Sequence, residues 1–589
     1  MPTLNWIGKE AVVNHHHAVP FHLLKDVPEL ACADPGSGNL IVQGDNLVAL
    51  KALLPRYAGQ VKCIFVDPPY NTGNEGWAYN DNVNSPVIRE WLGKIVGKEG
   101  ETLDRHDRWL CMMYPRLTLL KQFLRKDGAI FVSIDDNELT NLLAIMREIF
   151  GNGNEVATVV WEKGKKGDSK LVSVTHEYIV AFARDKALLK KLEIKWRRRK
   201  PGIDDVLEKY QEIKKGNPQD QKEALGQMMD QYEPHNIAIR REMMNWYRSL
   251  KKGDPRKNHK HYNWSDARGL YFPDNFHGPD DGRESRPRYP IYHPVTGEAC
   301  AIPSTGWRWE EATTKDALAQ FPPRIHFGKD HTTIPNRKSY LVEIDEEPML
   351  SVFYTDGRAA TLEVESILGP GAFQFPKDSE VIADLIGMVT DPGDIVLDSF
   401  GGSGTTAHAV LKRNKNLKSD LRFILVELDR TVATEKTRVR VQRAAEGYKP
   451  LSGKNRELVE GLGGGFRFCE LGEKLFDESG KIRDTVKFAD LARHVYFTET
   501  GEPLPRERVG KSPLLGITAG GLAVYLLYNG ILKDKTVDGG NVLTSDTFAL
   551  LPAHTGPKVI YAAGCRFGRE RQKRENLTFK QTPYAIRLQ

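Results

Sequence analysis

The amino-acid sequence predicts an α/β fold in which a parallel central sheet is interrupted by an inserted domain and followed by a smaller C-terminal α+β domain. Three observations predict this fold. Apolar, strand-like runs alternate with amphipathic helical segments near the beginning of the chain, the alternation is lost in the middle, and it resumes afterwards. Strands that alternate with helices form parallel sheets with crossover connections. We therefore expect one sheet built from two separate stretches of sequence.

The 589 residues are enough for roughly three to four domains. Changes in composition and in the strand and helix alternation set the boundaries between them. The predicted parts are an N-terminal arm (1–30), a first half of the α/β domain (31–185), an insertion (186–345), a second half of the α/β domain (346–462) and a C-terminal domain (463–589).

The composition, with 40% hydrophobic and 28% charged residues, is that of a globular protein. Apolar runs are far shorter than the roughly 20 residues of a membrane helix, and the N-terminus has no signal-peptide pattern, so we expect a cytoplasmic protein without a membrane segment. Lysine and arginine number 84 against 78 acidic residues, too small an excess to indicate a nucleic-acid partner. Six scattered cysteines form no CxxC pair, and the adjacent His15, His16 and His17 point in different directions, so we predict no metal site.

The first half of the α/β domain contains three strand and helix units. NLIVQGDNLVALKALLP predicts a strand, a turn and a helix that starts near Asn46. VKCIFVDPPYNTG places a six-residue, largely apolar run, typical of a buried parallel strand, directly before Asp67. RWLCMMYPRLTLLKQFLRKDG predicts a helix that ends at Gly128, and AIFVSIDDNELTNLLAIMREIF predicts a further strand and helix.

The insertion begins with a strongly basic segment. From Lys186 to Lys200 there are eight basic side chains and one acidic residue, Glu193. A solvated helix face and a surface that contacts phosphate both fit this pattern, and the segment alone does not decide between them. Sequence rich in Gly, Pro, Asn and aromatic residues follows, which predicts a domain with an architecture of its own.

The second half of the α/β domain contains a glycine-rich turn between a strand and a helix, in DIVLDSFGGSGTTAHAVLKR. A helix in SEVIADLIGMVT precedes it, and a strand in LRFILVELD follows. Open α/β sheets bind ligands at such turns. Gly402 and Gly404 would let the backbone approach a ligand, and Glu427 would accept hydrogen bonds from a ribose. Any nucleoside cofactor fits, whereas the absence of a P-loop lysine after Gly404 disfavours nucleotide hydrolysis.

The segment Asp67-Pro68-Pro69-Tyr70 predicts chemistry on an exocyclic amine. Such an amine is a poor nucleophile because its lone pair is delocalised into the ring of the base. The Asp67 carboxylate and the Pro68 carbonyl can accept hydrogen bonds from the amine and so localise that lone pair. Tyr70 offers an aromatic face on which an extruded base can stack. An ordinary proline-rich turn after a strand is the alternative interpretation.

Together, Asp67 to Tyr70 and Phe400-x-Gly402-x-Gly404 resemble the catalytic and cofactor motifs of amino methyltransferases. Their order, with the catalytic motif first and an inserted domain between the two, is similar to that of the beta group. Further segments resemble the modification subunits of type III restriction systems and their standalone relatives: GNEGWAYNDNVNSP, RHDRWLCMMYPRL, IFVSIDDNE, THEYIVAFAR, GWRW and LTFKQTPYAI.

The resemblance implies a Rossmann-like, S-adenosylmethionine-dependent methyltransferase sheet whose insertion is a target-recognition domain. It implies that the four residues from Asp67 to Tyr70 are catalytic and that the cofactor is S-adenosyl-L-methionine. The family's usual Lys-Pro pair is Lys377-Asp378 in this chain. The implied cofactor-binding residues are Asp45, Lys377, Asp398, Phe400, Gly402, Gly404, Thr405 and Glu427.

These motifs predict methylation of the N6 amine of an adenine flipped out of double-stranded DNA. N4-cytosine methylation uses the same chemistry, although those enzymes more often carry Ser in place of Asp67. Protein and RNA methyltransferases more often carry Asn there and lack an inserted recognition domain. A DNA-recognition subunit of a defence complex, with incidental or lost methyl transfer, is the remaining alternative.

The resemblance also bears on partners. It implies a homodimer, with the C-terminal domain after Phe466 helping to dimerise or to dock a partner, and it allows a restriction helicase-nuclease subunit as that partner. We expect the insertion to recognise the target sequence, with Arg197, Arg198 and Arg199 on DNA phosphates.

Overall fold

The computed structural model describes residues 3–32, 38–72, 93, 104–164, 171–216, 234–280, 286–453, 457–500, 502, 504–505, 508–533 and 540–583. The segment GNEGWAYNDNVNSP and the last three residues of LTFKQTPYAI lie outside the described residues. The chain divides into two compact units, unit 1 (Met1–Trp196 with Leu350–Gln589) and unit 2 (Arg197–Met349). No helix among the described residues is long and apolar enough to cross a membrane.

The helices and strands are numbered here in chain order. Unit 1 before the insertion contains α1 Lys9–Val13, α2 His15–Ala18, β1 His22–Asp26, β2 Leu40–Gln43, α3 Asn46–Tyr57, β3 Val61–Val66, α4 Arg105–Phe123, β4 Leu124–Ile134, α5 Leu139–Phe150, β5 Glu155–Glu162, β6 His176–Ala183 and α6 Lys186–Lys191. Unit 2 contains β7 Arg198–Arg199, α7 Ile203–Gly216, α8 Pro234–Ser249, β8 Trp264–Asp266, β9 Gly269–Asp274, α9 Glu311–Ala319, β10 Ile325–His326, β11 Asn336–Tyr340 and β12 Glu346–Glu347. Unit 1 after the insertion contains β13 Val352–Tyr354, α10 Gly357–Leu368, α11 Ser379–Val389, β14 Ile395–Asp398, α12 Thr405–Leu417, β15 Arg422–Glu427, α13 Arg438–Glu446, β16 Gly447–Tyr448, β17 Val459–Glu460, β18 Arg467–Lys474, α14 Phe488–Thr500, β19 Leu514–Ile517, β20 Ala523–Leu526, β21 Val542–Leu543, α15 Ser545–Ala549, β22 Lys558–Ala562, β23 Gly564–Cys565, α16 Arg569–Arg574 and β24 Leu577–Gln581.

Within the described residues, the main sheet of unit 1 comprises ten strands in the order β1-β18-β2-β15-β14-β3-β4-β6-β5-β13. From β18 to β4, six neighbouring strands run parallel, whereas β6 is antiparallel to both of its neighbours. The sheet joins strands from before the insertion, such as β3, to strands from after it, such as β14. This confirms the predicted α/β class and the assembly of one sheet from two stretches of sequence.

The centre of the sheet is buried on both faces, as the apolar runs predicted. All six residues of β3 and all four residues of β14 are buried. Helices α3, α4 and α5 contribute apolar side chains to the core on these strands, among them Leu50, Leu117 and Ile145. Strands covered on both sides give a rigid framework, and residues placed at their ends are held in fixed positions.

The prediction of a helix that ends at Gly128 is wrong. Strand β4 already starts at Leu124, because its first residue pairs with β3, and the register then shifts before Ala129. Such a shift is typical of a β-bulge, in which extra residues on one strand lie opposite fewer on the other. Gly128 fits there because a Cβ atom at this position would lie 2.8 Å from the Lys62 carbonyl oxygen.

Unit 2 contains an antiparallel four-stranded sheet in the order β10-β11-β9-β8. Apolar residues of α7 and α8, including Val206 and Met243, share a hydrophobic core with Leu270 of β9. The sheet also carries a buried ion pair, in which Asp266 Oδ2 accepts hydrogen bonds from Lys338 Nζ and the Tyr340 hydroxyl, each at 2.7 Å.

The arginines at the start of unit 2 have partners within the unit. Arg198 forms an ion pair with Glu347 at 2.9 Å. Arg199 is paired with Asp204 at 2.6 Å and Asp345 at 3.1 Å. These pairs tie β7 to β12, so two of the three arginines predicted to contact phosphate have carboxylate partners of their own.

The end of the chain contributes to unit 1 in two ways. Strand β18 joins the main sheet beside β2, and the strands after it form a separate sheet in the order β19-β20-β22-β24. Helix α14 covers this second sheet, because its residues Leu491 and Val495 share a hydrophobic core with Val524 and Leu526 of β20. The end of the chain thus has two layers, in which helix α14 packs on one face of the second sheet.

Candidate active site

Three neighbouring strands of the main sheet lead to acidic residues. Strand β3 is followed by Asp67, β14 ends at Asp398 and β15 ends at Glu427. Because these strands lie side by side and run parallel, the three residues lie along one edge of the sheet. Open α/β sheets bind their ligands at this edge.

A cavity that is open to solvent lies at this edge. Its wall combines aromatic rings, the glycine-rich turn and a few polar side chains, which suits a ligand that has both an apolar ring and polar substituents. The lining residues are Phe65, Asp67, Phe373, Phe375, Pro376, Lys377, Asp398, Phe400, Gly401, Gly402, Ser403, Thr405 and Thr406.

Asp67 is held by side chains from several parts of the site. Its Oδ1 atom accepts a hydrogen bond from Ser133 Oγ of β4 at 2.5 Å and forms an ion pair with Lys377 Nζ at 2.8 Å. The Tyr70 hydroxyl is also within hydrogen-bonding range of the Asp67 carboxylate. The carboxylate is thus oriented by a neighbouring strand, by Tyr70 and by Lys377, which lies two residues before helix α11.

The backbone of the turn after Asp67 is also held from several sides. Trp109 Nε1 donates to the Pro69 carbonyl at 2.7 Å, whereas no hydrogen bond among the described residues uses the Pro68 carbonyl. Asn71 ends the turn in the left-handed region, with φ of 58°. Its buried side chain donates to Glu138 Oε1 at 2.5 Å. The two proline carbonyls therefore differ, and the one predicted to face a substrate amine is the one left available.

Tyr70 lies against the same group of charges. Its hydroxyl donates to Glu177 Oε2 of β6 at 3.3 Å, and the Lys377 ammonium lies 4.9 Å from the centre of its ring. Burial, together with the carboxylates of Asp67 and Glu177, raises the pKa of the Tyr70 phenol well above its usual value. The ring is thus a neutral aromatic surface beside the acceptor atoms of Asp67.

Two lysines and two carboxylates make up this group, which we call the catalytic cluster: Asp67, Glu177, Lys163 and Lys377. Lys163, directly after β5, forms an ion pair with Glu177 Oε1, and Lys377 lies 3.8 Å from Glu177 Oε2. Burial and the neighbouring Lys377 lower the pKa of Lys163. Each lysine therefore lies close to a carboxylate in a site that is largely shielded from water.

The carboxylates that follow β14 and β15 hold the glycine-rich turn. Glu427 Oε2 accepts from the Gly402 backbone N–H at 2.7 Å and Oε1 accepts from that of Asp429 at 2.8 Å. Asp398 accepts from the Phe400 N–H at 2.9 Å and from Thr406 Oγ1 at 2.6 Å. Burial raises the pKa of both Asp398 and Glu427 to about 7, although these hydrogen bonds oppose the shift.

Gly402 and Gly404 both adopt positive φ, but the two glycines face different parts of the structure. Gly402, with φ of 48°, lines the cavity opposite Phe373. Gly404, with φ of 81°, faces away, because a Cβ atom there would lie 3.2 Å from Val441 of α13 and 3.3 Å from the Thr437 carbonyl oxygen. Gly404 thus permits close packing of the turn against a helix and does not itself line the cavity.

Arg440 of α13, fully buried, holds the turn from behind. It donates to Ser403 Oγ at 2.8 Å, to Thr405 Oγ1 at 2.9 Å and to Glu363 Oε2 of α10 at 2.9 Å. A π-helical turn, Val432–Thr437, precedes α13 and brings Thr437 Oγ1 to 2.6 Å from the Gly402 carbonyl oxygen. Single π-helical turns are frequent at functional sites.

The structure brings most of the predicted residues together. Asp67, Lys377, Asp398, Phe400, Gly402 and Thr405 line one cavity, and Glu427 holds its glycine-rich turn. Asp45 is not in the lining. It caps helix α3 by accepting the Val48 N–H at 3.0 Å, and it pairs with the buried Arg116 at 3.2 Å.

Sequence reasoning missed Lys163, Glu177, Glu363 and Arg440 as members of the site. Glu177 carried the clearest signal, since it is a charged residue within an otherwise apolar strand of the segment THEYIVAFAR. A buried charge at such a position needs a partner or a function. Nothing local marks Arg440, which lies on a helix with several other basic residues.

Comparisons with known proteins show which family the chain is similar to. Residues 61–436 match the family model N6_N4_Mtase, described as DNA methylase. The EcoP15I Mod subunit of a type III restriction-modification enzyme from Escherichia coli is 31% identical over 473 residues, which are 78% of this chain and 68% of that protein. The StyLTI Mod subunit from Salmonella typhimurium is 28% identical over 411 residues, 67% of this chain and 53% of that protein. The chain thus spans between about half and two thirds of the length of these relatives.

One solved structure, the M1.HpyAVI-SAM complex, covers 69% of this chain and 98% of its own, at 11% identity and a TM-score of 0.25. That score is too low to support a conclusion about this chain.

Proposed function

The chain belongs to the DNA methylase family, and we propose that it methylates the N6 amine of an adenine that has been flipped out of duplex DNA. As a DNA methyltransferase of this family, it uses S-adenosyl-L-methionine as its methyl donor. One observation carries the proposal. The Asp67 carboxylate lines the cofactor-type cavity, and the Pro68 carbonyl and the aromatic ring of Tyr70 follow it in the same turn.

The cavity residues fit S-adenosyl-L-methionine, which supplies an electrophilic methyl group when it is bound. Glu427 is buried at the end of β15, and its carboxylate oxygens can accept hydrogen bonds from ribose hydroxyls. Phe373 and Phe400 provide aromatic surface for the purine ring, and the positive φ of Gly402 keeps side-chain atoms out of the space before them. Asp398 and Arg440 fix the turn that carries these groups.

Asp67 and Pro68 prepare the amine of the base for attack. Two acceptors aimed at the amine hydrogens withdraw the nitrogen lone pair from conjugation with the ring and direct it toward the methyl carbon. S-adenosyl-L-methionine, held by the cavity residues, would supply the methyl group to the nitrogen that these two acceptors orient. The methylated nitrogen then loses a proton, for which Asp67 is the acceptor within reach.

The site favours an exocyclic amine over a ring carbon as the target. Methylation of a ring carbon requires a cysteine nucleophile, and the only cysteine on the strand that leads into the site is Cys63. Cys63 is fully buried, and its burial raises the pKa of its thiol strongly, so it is not available as a thiolate. Asp67 in place of the serine common in cytosine-N4 enzymes favours adenine.

We also propose the roles of the other parts of the chain. Unit 2 is the target-recognition domain, and the similarity to EcoP15I and StyLTI Mod subunits supports a modification component of a type III-like system. We further propose that the chain forms a homodimer and that its partner is a restriction helicase-nuclease subunit. Within unit 2, Arg197 is exposed, whereas Arg198 and Arg199 would have to exchange carboxylates for phosphates.

The proposal is tested by base-resolved mapping of methyl groups on genomic DNA incubated with the purified chain and S-adenosyl-L-methionine in the presence of a chelator. We expect N6-methyladenine within one recurring sequence. Methyl groups on cytosine would redirect the proposal to N4 chemistry. The absence of methylated DNA, with S-adenosyl-L-methionine binding intact, would refute it.

A further inference from the structure

We propose that Lys377 occupies the position of the target amine in the unliganded enzyme and moves from Asp67 toward Glu177 when the base enters. This inference rests on the proposed function, because it concerns the same acceptor and the same stacking face. It assigns to Lys377 a role in admitting the base, in addition to lining the cofactor cavity, and it makes Glu177 and Lys163 positioning residues for that step.

The first observation is that the Lys377 ammonium contacts both groups assigned to the base. Its Nζ atom lies 2.8 Å from Asp67 Oδ1 and 4.9 Å from the centre of the Tyr70 ring. A base that stacks on Tyr70 with its amine on Asp67 needs the space between these two groups. Two nonbonded heavy-atom groups cannot share that space, so the ammonium and the amine exclude each other.

The second observation is that Lys377 cannot simply leave for solvent. The residue is 6% exposed, and Phe375 and Pro376 precede it in the wall of the cavity. A buried ammonium that loses its carboxylate without gaining another partner is strongly disfavoured. Its movement therefore requires a second carboxylate within the site.

Glu177 is that second carboxylate. Its Oε2 atom lies 3.8 Å from Lys377 Nζ, so a shift of about 1 Å would bring the two atoms to the distance of a charge-assisted hydrogen bond. Oε2 also accepts from the Tyr70 hydroxyl at 3.3 Å, which keeps it on the side of the ring. Lys377 thus has two carboxylates within a short movement, one of which the substrate needs.

Lys163 sets how attractive Glu177 is to Lys377. It forms an ion pair with the other oxygen of Glu177, Oε1, and so neutralises part of the charge that would draw Lys377 across. Removal of the Glu177 charge and removal of Lys163 should therefore act in opposite directions. A purely structural role for these residues would make both changes harmful.

The test uses Glu177→Gln and Lys163→Met in the full chain, with a duplex that carries the methylated sequence found by mapping and with S-adenosylhomocysteine as the bound cofactor product. Reactivity of the thymine opposite the target adenine toward permanganate measures the flipped fraction without any methyl transfer. Gln retains an acceptor for the Tyr70 hydroxyl but offers no charge to Lys377. We expect Glu177→Gln to lower the flipped fraction about tenfold, the factor for one charge-assisted hydrogen bond, and Lys163→Met to raise it.

The chain offers a matched control in Lys580→Met. Lys580 of β24 lies 2.7 Å from Glu499 of helix α14 and 5.5 Å from the centre of the Tyr561 ring of β22, so the same residue types meet outside the cavity. This variant should leave the flipped fraction unchanged. An equal fall in both catalytic-cluster variants, or no change in either, would overturn the inference. Wild-type protein that methylates no adenine would instead refute the proposed function.

Discussion

Among the clusters of the described residues that combine a lysine, a carboxylate and a tyrosine, two in unit 1 differ in their position, because one lies at the ligand cavity and the other lies against the second sheet. Where helix α14 packs on the second sheet, Glu499 Oε2 of the helix accepts from both the Tyr561 hydroxyl at 2.6 Å and Lys580 Nζ at 2.7 Å. In the catalytic cluster the corresponding distances from Glu177 Oε2 are 3.3 Å to the Tyr70 hydroxyl and 3.8 Å to Lys377 Nζ. In the Glu499 cluster, one carboxylate oxygen accepts both hydrogen bonds. In the catalytic cluster, the lysine lies near two different carboxylates.

The difference shows what distinguishes a structural polar cluster from a reactive one. Among the described residues, Lys580 forms its ion pair with one carboxylate, that of Glu499. The catalytic cluster offers Lys377 two carboxylates, at 2.8 and 3.8 Å, and places one of them at the carboxyl end of a parallel strand. Residue types alone do not separate the two cases, whereas the number of partners and the position in the sheet do.

Substitution of the two tyrosines gives the largest contrast between the clusters. Base stacking on an aromatic ring is worth roughly 1 to 3 kcal/mol, so Tyr70→Ala should slow methyl transfer by about 5-fold to 150-fold. Tyr70→Phe should retain a good part of the rate because it keeps the ring. Single-turnover methyl transfer measures both effects. Tyr561→Phe is the control. It should lower the thermal stability slightly and leave the rate of methyl transfer unchanged. A loss of methyl transfer in this variant would contradict the difference proposed between the two clusters.

Arg440 tests whether the cofactor turn depends on support from behind. Arg440→Met removes the donors to Ser403 and Thr405, while Glu363 keeps Lys412 as its partner at 2.6 Å. We expect the KM for S-adenosyl-L-methionine to rise about tenfold, as for the loss of one charge-assisted hydrogen bond, with a smaller change in kcat. Arg440→Lys should restore part of the affinity. An unchanged KM in a folded Arg440→Met protein would contradict this role.

The pH dependence of cofactor binding gives the smallest of these effects. Burial places the pKa of Glu427 at about 7 in the free protein, and ribose hydroxyls donate to its ionised form, so binding should lower that pKa and release a proton. The affinity should then rise with pH through 7, by about tenfold between about pH 6 and about pH 8 for one such group. Calorimetric titration at several pH values measures this slope. Glu427→Gln should reduce the dependence of the affinity on pH. A residual dependence should remain, because the pKa of Asp398 is also at about 7. An affinity that falls with rising pH would contradict the assignment.

Much of the fold and the main motifs could be predicted from the sequence because they depend on local patterns. The apolar runs of β3, β14 and β15 marked buried parallel strands, and the acidic residues at or after their ends marked the edge where ligands bind. The end of helix α4 could not be predicted in this way. Neither a glycine nor a proline marks Leu124, and the change from helix to strand there is imposed by pairing with β3.

The charged partners within the site could not be predicted because they are distant in the sequence. Glu363 and Arg440 meet only when α10 and α13 pack together, and Glu177 reaches Lys377 only across the cavity. The carboxylate partners of Arg199 could not be read from its basic neighbours either. Asp345 is distant in the sequence, and the fold brings it and Asp204 to Arg199.

Asp67 carries the proposed chemistry, and the Asp67→Ala protein tests it most directly. The substitution removes the acceptor for the amine but leaves Tyr70, the glycine-rich turn and Glu427, and Lys377 retains Glu177 as a partner. Single-turnover methyl transfer to the mapped duplex should fall at least about a hundredfold, as when a preorganised hydrogen-bonding group is lost, while the affinity for S-adenosyl-L-methionine stays nearly unchanged. Methyl transfer at the wild-type rate by the Asp67→Ala protein would contradict the mechanism.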